Sequence, residues 1–147
     1  MLVYAGHNEW YGALGVGSTE SLAANPAFVR TTLRLQGGVL SSTGDFAQAL
    51  PMLLQALKIH ESTGAADGAD AREAGDAWER GMLFRQIAIV YSNMDQFQQA
   101  VSYYEVALDC FRDHYPLLAA RTLYSMGVTT DEMGDLPRAE ECYRRSL

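Results

Sequence analysis

Apolar residues recur along this chain at the spacing of an α-helix, in three sets that echo one another. Phe84, Ile87, Ala88 and Tyr91 step by three, one and three positions, which places them on one face of a helix with 3.6 residues per turn. Phe97, Ala100, Tyr104, Ala107 and Leu108 draw a similar stripe on a second helix. Before them, Leu33, Gly37 and Leu40 are followed by Phe46, Ala49, Leu53, Ala56 and Leu57 at the same internal spacings. After them come Leu123, Met126, Gly127 and Thr130, then Leu136, Ala139, Tyr143, Ser146 and Leu147. The equivalent alanines, Ala49, Ala100 and Ala139, lie 51 and 39 residues apart. The pattern predicts three helical hairpins, over about 28–61, 73–112 and 116–147.

Turn chemistry separates the two helices of each hairpin. Thr43-Gly44-Asp45 and Met133-Gly134-Asp135 combine glycine, suited to a left-handed helix stop, with aspartate, suited to cap the next helix. The middle hairpin has Asn93-Met94-Asp95-Gln96 there, so Asp95 stands where the others have glycine and its turn is expected to be strained. Small residues (Gly37, Ala88 and Gly127 on the first helices, Ala49, Ala100 and Ala139 on the second) alternate with large ones such as Leu53, Tyr104 and Tyr143. Small against large lets antiparallel helices approach closely and stack in a row.

Between the first two hairpins, residues 62–70 are rich in Gly, Ala and Asp and read as a loop, with helical patterning resuming from about Ala71. The acidic residues Asp67, Asp70, Glu73, Asp76 and Glu79 read as a solvated loop and helix start, since they lack the ligand alternation of a calcium loop. Asp113-His114-Tyr115-Pro116 is a shorter junction of the same kind, and Asn25-Pro26 opens the first helix as cap and first residue. In residues 1–25, Trp10, Ala13 and Gly17 echo Phe46, Ala49 and Leu53 and suggest an N-terminal helix or partial repeat. Gly12, Gly15 and Gly17 weigh against a robust helix, at about 1 kcal/mol each relative to alanine.

Taken together, aromatic or leucine, small residue, aromatic, Gly-Asp-aromatic, then Ala, aromatic and Ala-Leu resembles the tetratricopeptide repeat. Residues 82–111 match at every signature place, while Gln36 in the first unit and Thr130 in the third depart from it. The resemblance covers roughly residues 30–147. It implies an all-α fold of antiparallel helix hairpins stacked as an α-solenoid, and a non-catalytic scaffold for protein or peptide partners. The long period looks like a variant found in bacterial signalling proteins. There it would serve as a regulatory input domain before a regulator, kinase or diguanylate cyclase, none of which this sequence contains. The hairpin pattern runs up to Leu147 with no polar capping helix after it. The expectation is therefore a segment of a larger protein, or self-association through the uncapped last helix.

Composition narrows the classes further. With 48% hydrophobic and 20% charged residues the chain has an ordinary globular balance, and its net charge of −7 offers no basic face for nucleic acid. No apolar run approaches the ~20 residues that cross a bilayer, and the N-terminus lacks a secretory pattern, so a cytoplasmic location is the default expectation. Cys110 and Cys142 have no metal-type spacing and read as reduced, partly buried thiols. Gly12 to Ser18 lacks the lysine and glycine spacing of a phosphate loop. His7, His60 and His114 pair with no convincing nucleophile, and the latter two are placed near helix C-termini, where a protonated imidazole is favoured. No catalytic residue, cofactor or metal is assigned.

In a stacked array the first helices line the concave side. Their outward phase gives Arg34 in the first unit, Arg85, Ile89 and Asn93 in the second, and Arg121 and Tyr124 in the third as the partner-binding residues. Three arginines within an acidic chain favour a carboxylate-bearing ligand, because guanidinium grips carboxylate bidentately. An acidic peptide, extended or helical, is the expected partner.

Overall fold

The computed structural model describes residues 25–63 and 70–147, the side chains of 70–74 excepted. The features of residues 1–24, including the echo at Trp10, lie outside it, as does the loop at 64–69. Six helices form in order: α1 (Pro26–Thr43), α2 (Phe46–Thr63), α3 (Asp70–Asn93), α4 (Phe97–Phe111), α5 (Pro116–Glu132) and α6 (Leu136–Ser146). The described residues contain no strand.

Local chemistry sets the helix ends. Asn25 Oδ1 accepts from the Ala27 N–H at 2.9 Å, and Pro26 occupies the first turn, where its missing N–H goes unneeded. Asp45 and Asp135 each accept from a backbone N–H three residues on, Gln48 and Arg138, at 3.3 Å. The three tight turns close with one equivalent hydrogen bond, from Asp45, Gln96 and Asp135 N–H to Leu40, Tyr91 and Thr130 carbonyls, 2.9 Å in each case. That closure needs a left-handed residue before it. Gly44 and Gly134 supply it at φ 88° and 87°, and Asp95 is driven to φ 59°. A Cβ at either glycine would meet open space, so backbone conformation and not crowding selects glycine there.

Small against large holds each hairpin shut. A Cβ on Gly37 would lie 2.7 Å from Leu53, and one on Gly127 would lie 2.7 Å from Tyr143, so these helices approach as closely as glycine allows. Ala88 and Tyr104 fill the equivalent place in the middle hairpin and are buried in one cluster. The two departures from the repeat signature have different fates. Gln36 is exposed, whereas Thr130 is buried and returns its hydroxyl to the Met126 and Gly127 carbonyls, both 3.0 Å away.

Hairpins stack in sequence, α2 against α3 and α4 against α5. The first helices also touch directly, α1 with α3 and α3 with α5, whereas among the described residues the second helices pack on no neighbour of their own kind. The first-helix side is therefore the tighter, concave one.

The first junction is polar at its heart. Arg30 of α1 forks onto Glu79 of α3, with Nε to Oε1 at 2.9 Å and Nη2 to Oε2 at 2.6 Å. Its Nη1 lies 3.1 Å from Nδ1 of the buried His60, whose Nε2 lies 3.1 Å from Asp76. An arginine donating to Nδ1 requires a bare nitrogen there, so Nε2 carries the proton and donates to Asp76. Asp76 and Glu79 thus fasten helices together, contrary to the solvated role their sequence context suggests. His60 is likewise corrected. Burial lowers its pKa from the ordinary 6.5, outweighing Asp76, and Arg30 lowers it further, so the helix C-terminus does not hold a protonated ring here.

Two predictions follow from these contacts. Asp95→Gly should raise stability by about 1 kcal/mol in urea denaturation, because glycine meets no Cβ penalty at positive φ. An unchanged or lowered midpoint would show that the turn is unstrained. His60 has its folded pKa depressed, so its stabilising contribution is complete above pH 6.5 and fades as pH falls below that value. His60→Gln should cost about 1–3 kcal/mol at pH 7.5, yet lose less further stability than wild type on moving to pH 5.5. Equal losses in both proteins would contradict the buried neutral ring.

A candidate peptide-binding groove

The concave side is built by spacing alone. Arg121, Ser125, Val128 and Glu132 recur at helical intervals along α5, and Arg85, Ile89 and Ser92 do so along α3. Where the two helices meet, Ser92 Oγ and Thr129 Oγ1 lie 2.9 Å apart and tie them together. Above this tie is a cleft of about 270 Å³, lined by Ile89, Asn93, Tyr124 and Val128 together with Tyr104 and Glu132.

Tyr104 comes from α4 and fills the floor between α3 and α5. It shares the cleft lining with Thr129 and Ser125, and burial raises its pKa, so it stays a neutral phenol. Tyr124 is 59% exposed and leans on Tyr143 with ring centroids 5.7 Å apart, offering an aromatic wall to the cleft. Asn93 donates its amide Nδ2 to the Ile89 carbonyl at 2.9 Å, which leaves Oδ1 and the second amide hydrogen uncommitted.

The three arginines do not share one site. Arg34 is half-buried and sits over the Trp78 ring, 5.3 Å from its centroid, one repeat away from the cleft. Arg85 and Arg121 each stand one helical turn before a cleft residue, Ile89 on α3 and Ser125 on α5. Burial and then the adjacent Arg121 cation hold the Arg85 guanidinium below its ordinary pKa, with Tyr104 acting in the opposite direction. Arg85 Nε is buried without a hydrogen bond. Among the described residues no carboxylate forms an ion pair with either arginine. A buried guanidinium donor left without a partner is costly unless an anion joins it.

The structure therefore gathers Ile89, Asn93 and Tyr124 around one cleft, sets Arg85 and Arg121 near it, and leaves Arg34 apart. Tyr104 and Glu132 belong to the same groove. Tyr104 was hidden in the sequence because its spacing marks it as a core residue. Trp78 was hidden because it precedes the repeat signature, on the N-terminal extension of α3.

Two other recesses carry different chemistry. One of about 470 Å³ holds Asp76, Arg80, Asp109, Cys110, Asp113 and His114. Burial raises the Cys110 thiol, the reverse of what an attacking thiolate needs. The other, of about 510 Å³, sets Leu108, Ala119 and Pro116 among Glu105, Asp109, Arg112 and Arg145. Both cysteines are free, and the described residues hold no cluster of His, Cys, Asp and Glu suited to a metal. No described helix is long and apolar enough to cross a membrane.

Comparison with known families agrees with this architecture. A tetratricopeptide repeat model matches residues 79–147, which span most of α3 and all of α4, α5 and α6. No curated protein matches the chain. Stacked helical hairpins closed by glycine-aspartate turns, with small residues facing large ones, account for that match, and residues 79–147 are similar to the tetratricopeptide repeat in sequence as well as in architecture.

Proposed function

We propose that this chain is a docking platform for protein partners, and that its concave groove between α3 and α5 takes an acidic peptide segment. The family is one of protein-interaction scaffolds, which supports the broader half of this reading. The buried, unpartnered Nε of Arg85, with Arg121 at the matching height on α5, carries the finer half. A ligand carboxylate bound by both guanidiniums would relieve their repulsion and satisfy donors that have no ion-pair partner among the described residues.

Ile89, Tyr104, Tyr124 and Val128 would receive an adjacent apolar side chain, and Asn93 would offer an acceptor to the ligand backbone. Arg34 sits further along the same side, over Trp78, and extends the surface toward α1. No step in this function makes or breaks a covalent bond, so the platform works by binding alone.

Selecting a random nine-residue peptide library on the full chain should enrich sequences carrying Asp or Glu. Replacing both Arg85 and Arg121 by Gln should weaken the selected peptides about 10- to 100-fold in fluorescence anisotropy, as expected for lost charge-assisted hydrogen bonds. Raised salt should weaken the wild-type complex as well. Enrichment of neutral or basic peptides, or equal affinity for wild type and the double variant, would overturn the proposal.

A further inference from the structure

The groove is graded in charge from end to end, and the grading specifies more of the ligand than its acidity. At one end, Arg85 and Arg121 present only donors. At the other, Glu132 lines the cleft beside Asn93, which commits one amide hydrogen to the Ile89 carbonyl and keeps Oδ1 as an acceptor. Glu132 is exposed and, like the two arginines, has no ion-pair partner among the described residues. Arg85 lies one helical turn before Ile89 on α3 and Arg121 one turn before Ser125 on α5, so the two ends frame one groove floored by Tyr104.

Resting on the acidic-peptide reading above, we infer that the cognate segment is bipolar: an acidic residue at Arg85 and Arg121, an apolar residue in the cleft, and a lysine or arginine at Glu132. The spacing follows from helix geometry. Arg121 and Glu132 are eleven residues apart on one face of α5, or roughly 16 Å at a rise of about 1.5 Å per residue. An extended chain advancing about 3.3 Å per residue covers that distance in about five residues.

The segment is extended and not helical. α3 and α5 pack directly and are tied by Ser92 and Thr129, so the surface between them is a shallow slot. A helix about 10 Å across is too wide to enter it. The cleft of about 270 Å³ has room for one or two side chains.

The test uses three capped nine-residue peptides in a Gly/Ser background, each with Asp and a central Leu. Five residues beyond the Asp they carry Lys, Gln or Glu. Fluorescence anisotropy against the full chain should rank them Lys, then Gln, then Glu, by about two- to five-fold per step, the range of exposed ion pairs. A fourth peptide with Lys two residues from Asp should bind no better than the Gln peptide. Glu132→Lys, at an exposed position that leaves the core untouched, should reverse the order so that the Glu peptide binds best. Equal affinities for the three peptides, an order unchanged in Glu132→Lys, or no binding of the Asp–Leu–Lys peptide to wild type would overturn the inference. Loss of all binding in the Arg85→Gln, Arg121→Gln double variant alongside a three-way tie in wild type would sink the bipolar register alone. Binding unaffected by that double variant would sink the acidic seat as well.

Discussion

The close approach of a small residue on one helix to a large residue on its partner sets everything else in this molecule. Gly37 against Leu53, Ala88 with Tyr104, and Gly127 against Tyr143 repeat one contact three times. Each large side chain can enter only because its opposite number lacks bulk, and once it has entered the two helices are fixed antiparallel at short range. The middle contact has a second consequence. Tyr104 is long enough to pass beyond Ala88, and its hydroxyl emerges between α3 and α5, where it meets Ser125 and Thr129. The residue that closes the hairpin also makes the floor of the groove.

Stacking the hairpins asks for a different kind of contact at each junction. Between the first and second, Arg30, His60, Asp76 and Glu79 form a charged network across three helices. Such a network costs desolvation and tolerates little error in geometry, which favours one relative placement of the hairpins over others. Between the second and third, α3 and α5 are tied by the hydroxyls of Ser92 and Thr129 and padded by Met126 and Val101 within a shared apolar cluster. This lighter tie leaves the neighbouring arginines and Glu132 uncompensated, and charges left without partners inside a groove define what the groove can bind.

Much of the fold was legible in the sequence. Helical spacing gave the stripes, Gly44 and Gly134 gave the turns, and Asp95 in place of glycine correctly marked a backbone held at positive φ. The groove was legible only in part. Ile89, Asn93 and Tyr124 could be phased onto one side because helical geometry is regular within an element. Whether Arg34, Arg85 and Arg121 met could not be phased, since that depends on how one hairpin sits on the next. Trp78 then captured Arg34, while Arg85 was left with a buried Nε that meets no partner. His60 and its partners escaped for the same reason. A histidine in a last turn looks favourably placed for a proton until packing buries its ring and the first helix of its own hairpin brings Arg30 against its nitrogen.

The central claim is that stacking leaves the groove between α3 and α5 as the docking surface. Amide chemical-shift mapping of the full chain during titration with an acidic peptide tests this most directly. The account predicts shifts concentrated at Arg85, Ile89, Tyr104, Arg121, Tyr124 and Val128, with the outer faces of α2 and α6 silent. Shifts confined to those outer faces, or to the recess around Cys110 and His114, would contradict it.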